Sequence, residues 1–99
     1  MSKIRKSAQN ENCTVRVPGH CNNDTTTTVL AHINSVRLGH GVGIKTNDIF
    51  GAYCCNQCHA AIDGRERSNW TRKELKLFHI EGILETQLKL LQKGLITCA

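Results

Sequence analysis

Cys55 and Cys58 have two residues between them, the spacing at which a tight turn lets two thiolates grip one tetrahedral metal ion about 2.3 Å from each sulfur. His59 follows directly. A short helix that begins at Cys58, capped by Asn56, places His59 and Asp63 on one face, four residues apart. An imidazole and a carboxylate so arranged can hold a second, harder divalent cation beside the first site. The stretch from Tyr53 to Asp63 is thus expected to serve two sites from one turn.

Two sulfurs complete only half of a tetrahedral site. Upstream, Val15 and Val17 alternate with polar neighbours as in a short strand, and the Pro18-Gly19 turn can return Cys21 toward Cys13. Cys13, Cys21, Cys55 and Cys58 are therefore expected to share one structural zinc ion, whose binding energy is also folding energy. His20 is an alternative ligand to one of them. Cys54 and Cys98 are left over and read as free thiols, one buried and one near a loose terminus.

The remaining histidines divide by context. His32 lies in Val29-Leu30-Ala31-His32-Ile33, an apolar run of strand length. An imidazole there is either a packed strand residue or a general base, since the side chain can take a proton from water near physiological pH. His40 sits in a glycine-containing loop, where a metal ligand or proton donor competes with a plain exposed side chain. His79 reads as a bystander on the last helix.

The whole chain is 99 residues, with 39% hydrophobic and 4% aromatic content, enough for one small domain that benefits from a staple. Six cysteines would serve disulfides or metal according to compartment. The opening residues are basic and then polar without an apolar signal core, and no transmembrane run occurs. The expectation is the reducing cytoplasm of the bacterial host cell, with metal ligation rather than disulfides. A formal charge of +5 suits a polyanionic partner.

In order, residues 1–12 read as a flexible basic arm and residues 13–99 as a single zinc-stabilised domain. Arg37 to Lys45 is glycine-rich but has neither the GxxxxGK[ST] nor the GxGxxG spacing, so a nucleotide-phosphate loop is poorly supported. It more simply joins two strands, with Arg37 and Lys45 near a nucleic-acid backbone. Ile49 to Tyr53 forms the returning strand that delivers the cysteine turn, and Gly64 ends the short helix. Arg65 and Arg67 follow as further phosphate contacts, and Trp70 anchors the connection to the core. Thr71-x-x-Glu74 is a capping-box pattern opening the longest helix, which Gly94 ends. Leu77, Ile80, Leu84, Leu88 and Leu91 recur on it at helical spacing, a stripe that either covers the small sheet or pairs with another copy as a homodimer.

This order of cysteines, strand histidine, glycine-containing loop, Asn47-Asp48 and Cys55-x-x-Cys58-His59 resembles the HNH or ββα-metal nucleases, in which two strands and a helix hold one catalytic ion. Arg5-Lys6, Cys13-x-Val15-Arg16-x-Pro18-Gly19-x-Cys21, Leu30-Ala31-His32-Ile33 and Cys55-x-x-Cys58-His59-x-x-Ile62-Asp63 look like the small prophage-encoded nucleases of the YbcO type. That resemblance implies an α+β fold: a zinc-stabilised HNH-like core with an added C-terminal helix. It further implies that His32 activates water, that His59 binds the catalytic cation with Asp63 one turn on, and that Asn47 or Asp48 orients His32 or supports the metal. The cation would be magnesium or another divalent ion, and the partner DNA, branched or single-stranded forms included, in phage recombination or DNA processing. Ala31 departs from the pattern, because many HNH enzymes carry an acidic residue or histidine before the base as a further ligand. Either that ligand comes from His32 itself, Asp48 or His40, or the site is degenerate.

Three function classes follow: a metal-dependent endonuclease, a non-catalytic zinc-stabilised nucleic-acid-binding module, and a redox or iron–sulfur protein. The histidine directly after the second cysteine, outside any thioredoxin-like context, counts against the third.

Overall fold

The two short apolar runs pair as expected. Val29–His32 (β1) and Gly51–Cys54 (β2) form a two-stranded antiparallel sheet in the register Val29 to Cys54, Leu30 to Tyr53, Ala31 to Ala52 and His32 to Gly51. A computed structural model describes residues 2–98, so Met1 and Ala99, the outer ends of the expected arm and domain, lie outside it. The returning strand starts later than Ile49, because Asp48–Phe50 is taken up by a 3-10 turn whose first N–H groups Asn47 caps through its side chain.

All four residues of β2 are buried, and they alternate between two cores. Ala52 and Cys54 join the cysteine-rich cluster with Val15, Val17, Leu75 and Ile83. Tyr53 packs on the other side with Ala8 and Leu90. The fold is a small α+β unit in which the sheet separates these clusters and a long helix closes over β2.

Residues 13–17 are not the strand that Val15 and Val17 suggest. Thr14 N–H donates to Tyr53 O at 2.8 Å, but Arg16 takes the left-handed conformation (φ 45°), which breaks any ladder along the edge of β2. The valines are buried all the same, at 3% and 0% exposure, because the segment wraps the cysteine cluster.

The expected flexible arm is also different. Lys3–Ser7 forms a short helix (α1) capped by Ser2, and Ala8 behind it is 1% exposed. Ser7 Oγ meets the Tyr53 hydroxyl at 2.7 Å, and Arg5 Nε donates to Asp48 at 3.0 Å. Apolar burial and directional bonds together outweigh the entropy of ordering a short basic segment.

Helix α2, Asn56–Ile62, starts two residues before Cys58, with Cys55 rather than Asn56 at the cap position. Thr27 accounts for the shift: its hydroxyl accepts from Asn56 N–H at 3.0 Å. Gly64, with φ +77°, supplies the left-handed exit expected of it.

Helix α3, Arg72–Gln92, carries the complete Thr71–Glu74 capping box. Its core face is Leu75, His79, Ile83, Thr86 and Leu90, with Gly82 among them. A β-carbon on Gly82 would stand 3.0 Å from Val15 Cγ2 and 3.1 Å from Thr14 Oγ1, so glycine lets the residue 13–17 wrap run close across the helix. The stripe of Leu77, Ile80, Leu84, Leu88 and Leu91 points outward and does not cover the sheet. Trp70 anchors the connection as anticipated, with Nε1 donating to Pro18 O at 2.9 Å and its ring set edge-on to Phe78.

Candidate metal centre and catalytic cleft

The Cys13, Cys21, Cys55 and Cys58 sulfurs lie within 4.8 Å of one another. Four sulfurs about 2.3 Å from a tetrahedral ion would be spaced by about 3.8 Å, and Cys55 Sγ to Cys21 Sγ measures 3.9 Å. The donor set and its closure therefore fit a structural zinc ion, with no corner left for a substrate. Val17 N–H points at Cys58 Sγ from 3.3 Å, a backbone contact of the kind that orients a thiolate ligand. Cys13 is held far below the ordinary thiol value, first by its contact with Cys54 and then by Cys58. The same contact, helped by burial, pushes Cys58 and Cys54 upward. Because the ligand form of cysteine is the thiolate, binding a divalent cation here would release thiol protons. His20 lies outside the group, and Cys54 is a buried free thiol next to it.

Among the described residues, this is the one group in which three or more Cys, His, Asp or Glu ligand atoms converge. The second arrangement is looser. His32 leaves the end of β1 and Asp48 opens the 3-10 turn before β2; their pairing across the sheet end puts His32 Nε2 2.7 Å from Asp48 Oδ1. Ser2 and Arg5 also donate to Asp48. Desolvation pulls the Asp48 carboxyl upward, but hydrogen bonds from Ser2, His32 and Arg5 prevail and hold it down at about 2. An ionised Asp48 accepts a proton from Nε2, and the tautomer that donates it carries its lone pair on Nδ1.

On α2, His59 Nε2 and Asp63 Oδ2 are 3.2 Å apart, the consequence of i, i+4 placement on one face. Arg65, expected at phosphate, lies on the same Asp63 oxygen at 3.4 Å. A cleft of about 310 Å³ opens between the end of β1, the end of α2 and the start of α3, with His32 and Asp63 on its walls. Arg37 and Lys45 are exposed in the 36–46 loop, and Arg67 is exposed beyond α2; these three do not line the cleft. The His40 Nδ1 atom is buried without a hydrogen-bond partner and is not part of a ligand group.

His79 is no bystander to the packing. It is 7% exposed, its Nε2–H donates to Ala31 O at 2.8 Å, and it lines the same cleft. Burial above all drives its protonation downward, against the pull of the Ala31 carbonyl. Ala31 is 2% exposed, so its side chain faces the core and strand alternation turns its neighbour His32 the other way. The signal for His79 was present in Leu75, Ile83 and Leu90, which share its face. Ser2 and Arg5 carried no such signal, since their partner is more than forty residues away.

Comparison with known proteins places these features in a group. The family described as "Putative nuclease YbcO" matches residues 2–95. "Putative nuclease YbcO" of Escherichia coli (strain K12) and "Putative nuclease ybcO" of Enterobacteria phage 82 are each 39% identical over 98 residues, covering 97% of this chain and 98% of theirs. A solved structure described as "Structure of a putative bacteriophage protein from Escherichia coli str. K-12 substr. MG1655" superposes with a TM-score of 0.76 at 34% identity, over 93% of this chain and 100% of that one.

Proposed function

This chain belongs to the YbcO family, and we propose that it is a metal-dependent endonuclease of the HNH type that hydrolyses DNA phosphodiester bonds in phage or prophage recombination or DNA processing. The observation that carries the reading is that His32, paired with Asp48, and Asp63, paired with His59, line one cleft.

In this reading His32 Nδ1 accepts a proton from a water set in line with a backbone phosphorus. The water oxygen bonds to phosphorus, the bond to the 3′ oxygen breaks, and the products carry a 5′ phosphate and a 3′ hydroxyl. Asp48 stabilises the imidazolium that forms, as a carboxylate does behind a catalytic histidine. His59 and Asp63 would hold a cation such as magnesium, which keeps several waters and needs few protein ligands; when bound it neutralises charge on a nonbridging oxygen and on the leaving oxygen. Cys13, Cys21, Cys55 and Cys58 would hold zinc and tie the residue 13–21 segment to the start of α2. Arg37, Lys45, Arg65 and Arg67 would contact phosphates around the site without reading bases. The outward stripe of α3 supports pairing with a second copy, and free thiols suit a reducing bacterial cytoplasm.

The buried side chain of Ala31, which supplies no ligand, favours a second reading: a zinc-stabilised nucleic-acid-binding module without catalysis. Incubating supercoiled plasmid with the protein and magnesium or manganese separates the two. Nicking that disappears in His32→Ala supports the nuclease; equal nicking by both samples marks contamination, and binding without nicking leaves the module.

A further inference from the structure

Four of the thirteen lysine and arginine side chains are paired with carboxylates: Arg5 with Asp48, Arg16 with Glu85, Arg65 with Asp63 and Lys93 with Glu11. The cations that line the cleft are different ones. Arg72, Lys73 and Lys76, from the beginning of α3, line it together with His32 and Asp63, and among the described residues none of the three has an ion-pair or hydrogen-bond partner. Asp63 is the single carboxylate on the cleft lining, and Arg65 already engages it. Glu74, the nearest acid in sequence, is occupied by the capping box, accepting from Thr71 N–H at 2.9 Å.

For folding alone this is an unfavourable arrangement. Like charges three and four residues apart repel on a helix surface, and cations at the N-terminal end oppose the helix dipole. An anion in the cleft would reverse both effects. Arg72 offers a planar fork for two phosphate oxygens, while Lys73 and Lys76 act as point charges.

We infer that Arg72, Lys73 and Lys76 are the phosphate-binding wall of this cleft, gripping the nucleic-acid backbone on either side of the bond presented to His32. The inference rests on the nuclease reading above and assigns the substrate grip to α3. Because the contacts are to phosphate, they act on DNA and RNA alike, and the probes must separate these sources.

Fluorescence anisotropy of the full chain against labelled duplex DNA, single-stranded DNA and RNA of about twenty nucleotides, across a salt series, tests it. Replacing all three by alanine should lower the slope of log K against log salt by about 2 to 3 on duplex DNA. Lys89→Ala, elsewhere on α3, should leave the slope nearly intact, and the charge-keeping set Arg72→Lys, Lys73→Arg, Lys76→Arg should restore it. The probe on which the triple variant loses the most contacts, counted per phosphate because single strands give a smaller slope than duplex, names the backbone the wall serves. An unchanged slope in the triple variant, or a wild type that binds none of the three probes, overturns the proposal. Binding with the stated slope loss but no cleavage by any sample rejects the nuclease and keeps the wall; cleavage with an unchanged slope does the reverse.

Discussion

Asp48 Oδ1 lies 2.7 Å from Nε2 of His32, joining the 3-10 turn before β2 to the end of β1. The same carboxylate oxygen is held by Arg5 at 3.0 Å, so α1 secures the orientation of the candidate base. Removing each member in turn should give a graded loss. His32→Ala should lower kcat/KM on plasmid DNA by about 10²- to 10⁴-fold. Asp48→Asn keeps a hydrogen-bond acceptor but not the charge, and should cost on the order of 10²-fold. Arg5→Ala leaves Asp48 ionised and should cost least. The reverse order, with Arg5→Ala the most damaging, would mean that α1 contributes something other than orientation.

The same contacts make an acid-side stability prediction. Asp48 is held at about 2 in the folded chain, against an ordinary 3.8. Between those values the unfolded chain binds more protons, so the stabilisation is present above about pH 4 and is lost as pH falls toward 2. Urea unfolding of the wild type and Asp48→Asn should therefore differ at pH 5 to 6 and converge near pH 2. A gap that stays constant over this range would remove the carboxylate from the account.

The sulfur cluster was legible because ligand type and CxxC spacing leave few alternatives, and the place of His32 in a strand was legible because the apolar run around it has strand length. The Arg5–Asp48 contact was not, since nothing local marks two residues that meet 43 positions apart. On α3 two sets of positions repeat at helical spacing. The purely apolar one, Leu77 to Leu91, looks like the core face, while the buried one contains His79, Gly82 and Thr86. Those three lower its apparent hydrophobicity, yet His79 and Thr86 are buried because Ala31 O and Tyr53 N–H need partners there, and Gly82 because the residue 13–17 wrap passes too closely for a side chain.

Thr86 supplies a direct measure of that polar packing. It is fully buried, and its Oγ1 accepts from Tyr53 N–H at 3.1 Å. Thr86→Val keeps the shape and removes the acceptor, which should cost about 1 to 3 kcal/mol. Thr86→Ser keeps the acceptor and should cost about 0.8 kcal/mol for the lost methyl group. Denaturant unfolding that ranks serine as the worse substitution would show that packing, not the hydrogen bond, governs the site.

Metal removal separates the four cysteines of the cluster from their buried neighbour. A structural zinc site contributes about 10 to 16 kcal/mol, as much as the whole stability of a typical domain. One zinc per chain should be found by elemental analysis, and stripping it with a strong chelator should abolish cooperative unfolding. Cys58→Ser should behave like the stripped protein, whereas Cys54→Ser, outside the converging group, should keep the full metal content. Equal zinc in both variants would reassign the ligands.

The outward stripe of α3 is an exposed apolar feature, with Leu77, Ile80, Leu84, Leu88 and Leu91 each more than a third exposed. Its steps of three and four residues suit two helices crossing at a shallow angle of about 20°. Leu84 is the middle of the five, so a two-fold axis through an antiparallel pair would bring the two Leu84 side chains together. Leu84→Glu would then place like charges at the axis, and it should turn a concentration-dependent dimer into a monomer in sedimentation velocity. Because Leu84 is exposed within one chain, the substitution should leave zinc content and the single-chain fold unchanged. A wild type that stays monomeric up to hundreds of micromolar would exclude pairing, and a dimer that survives Leu84→Glu would put its contact elsewhere on the surface.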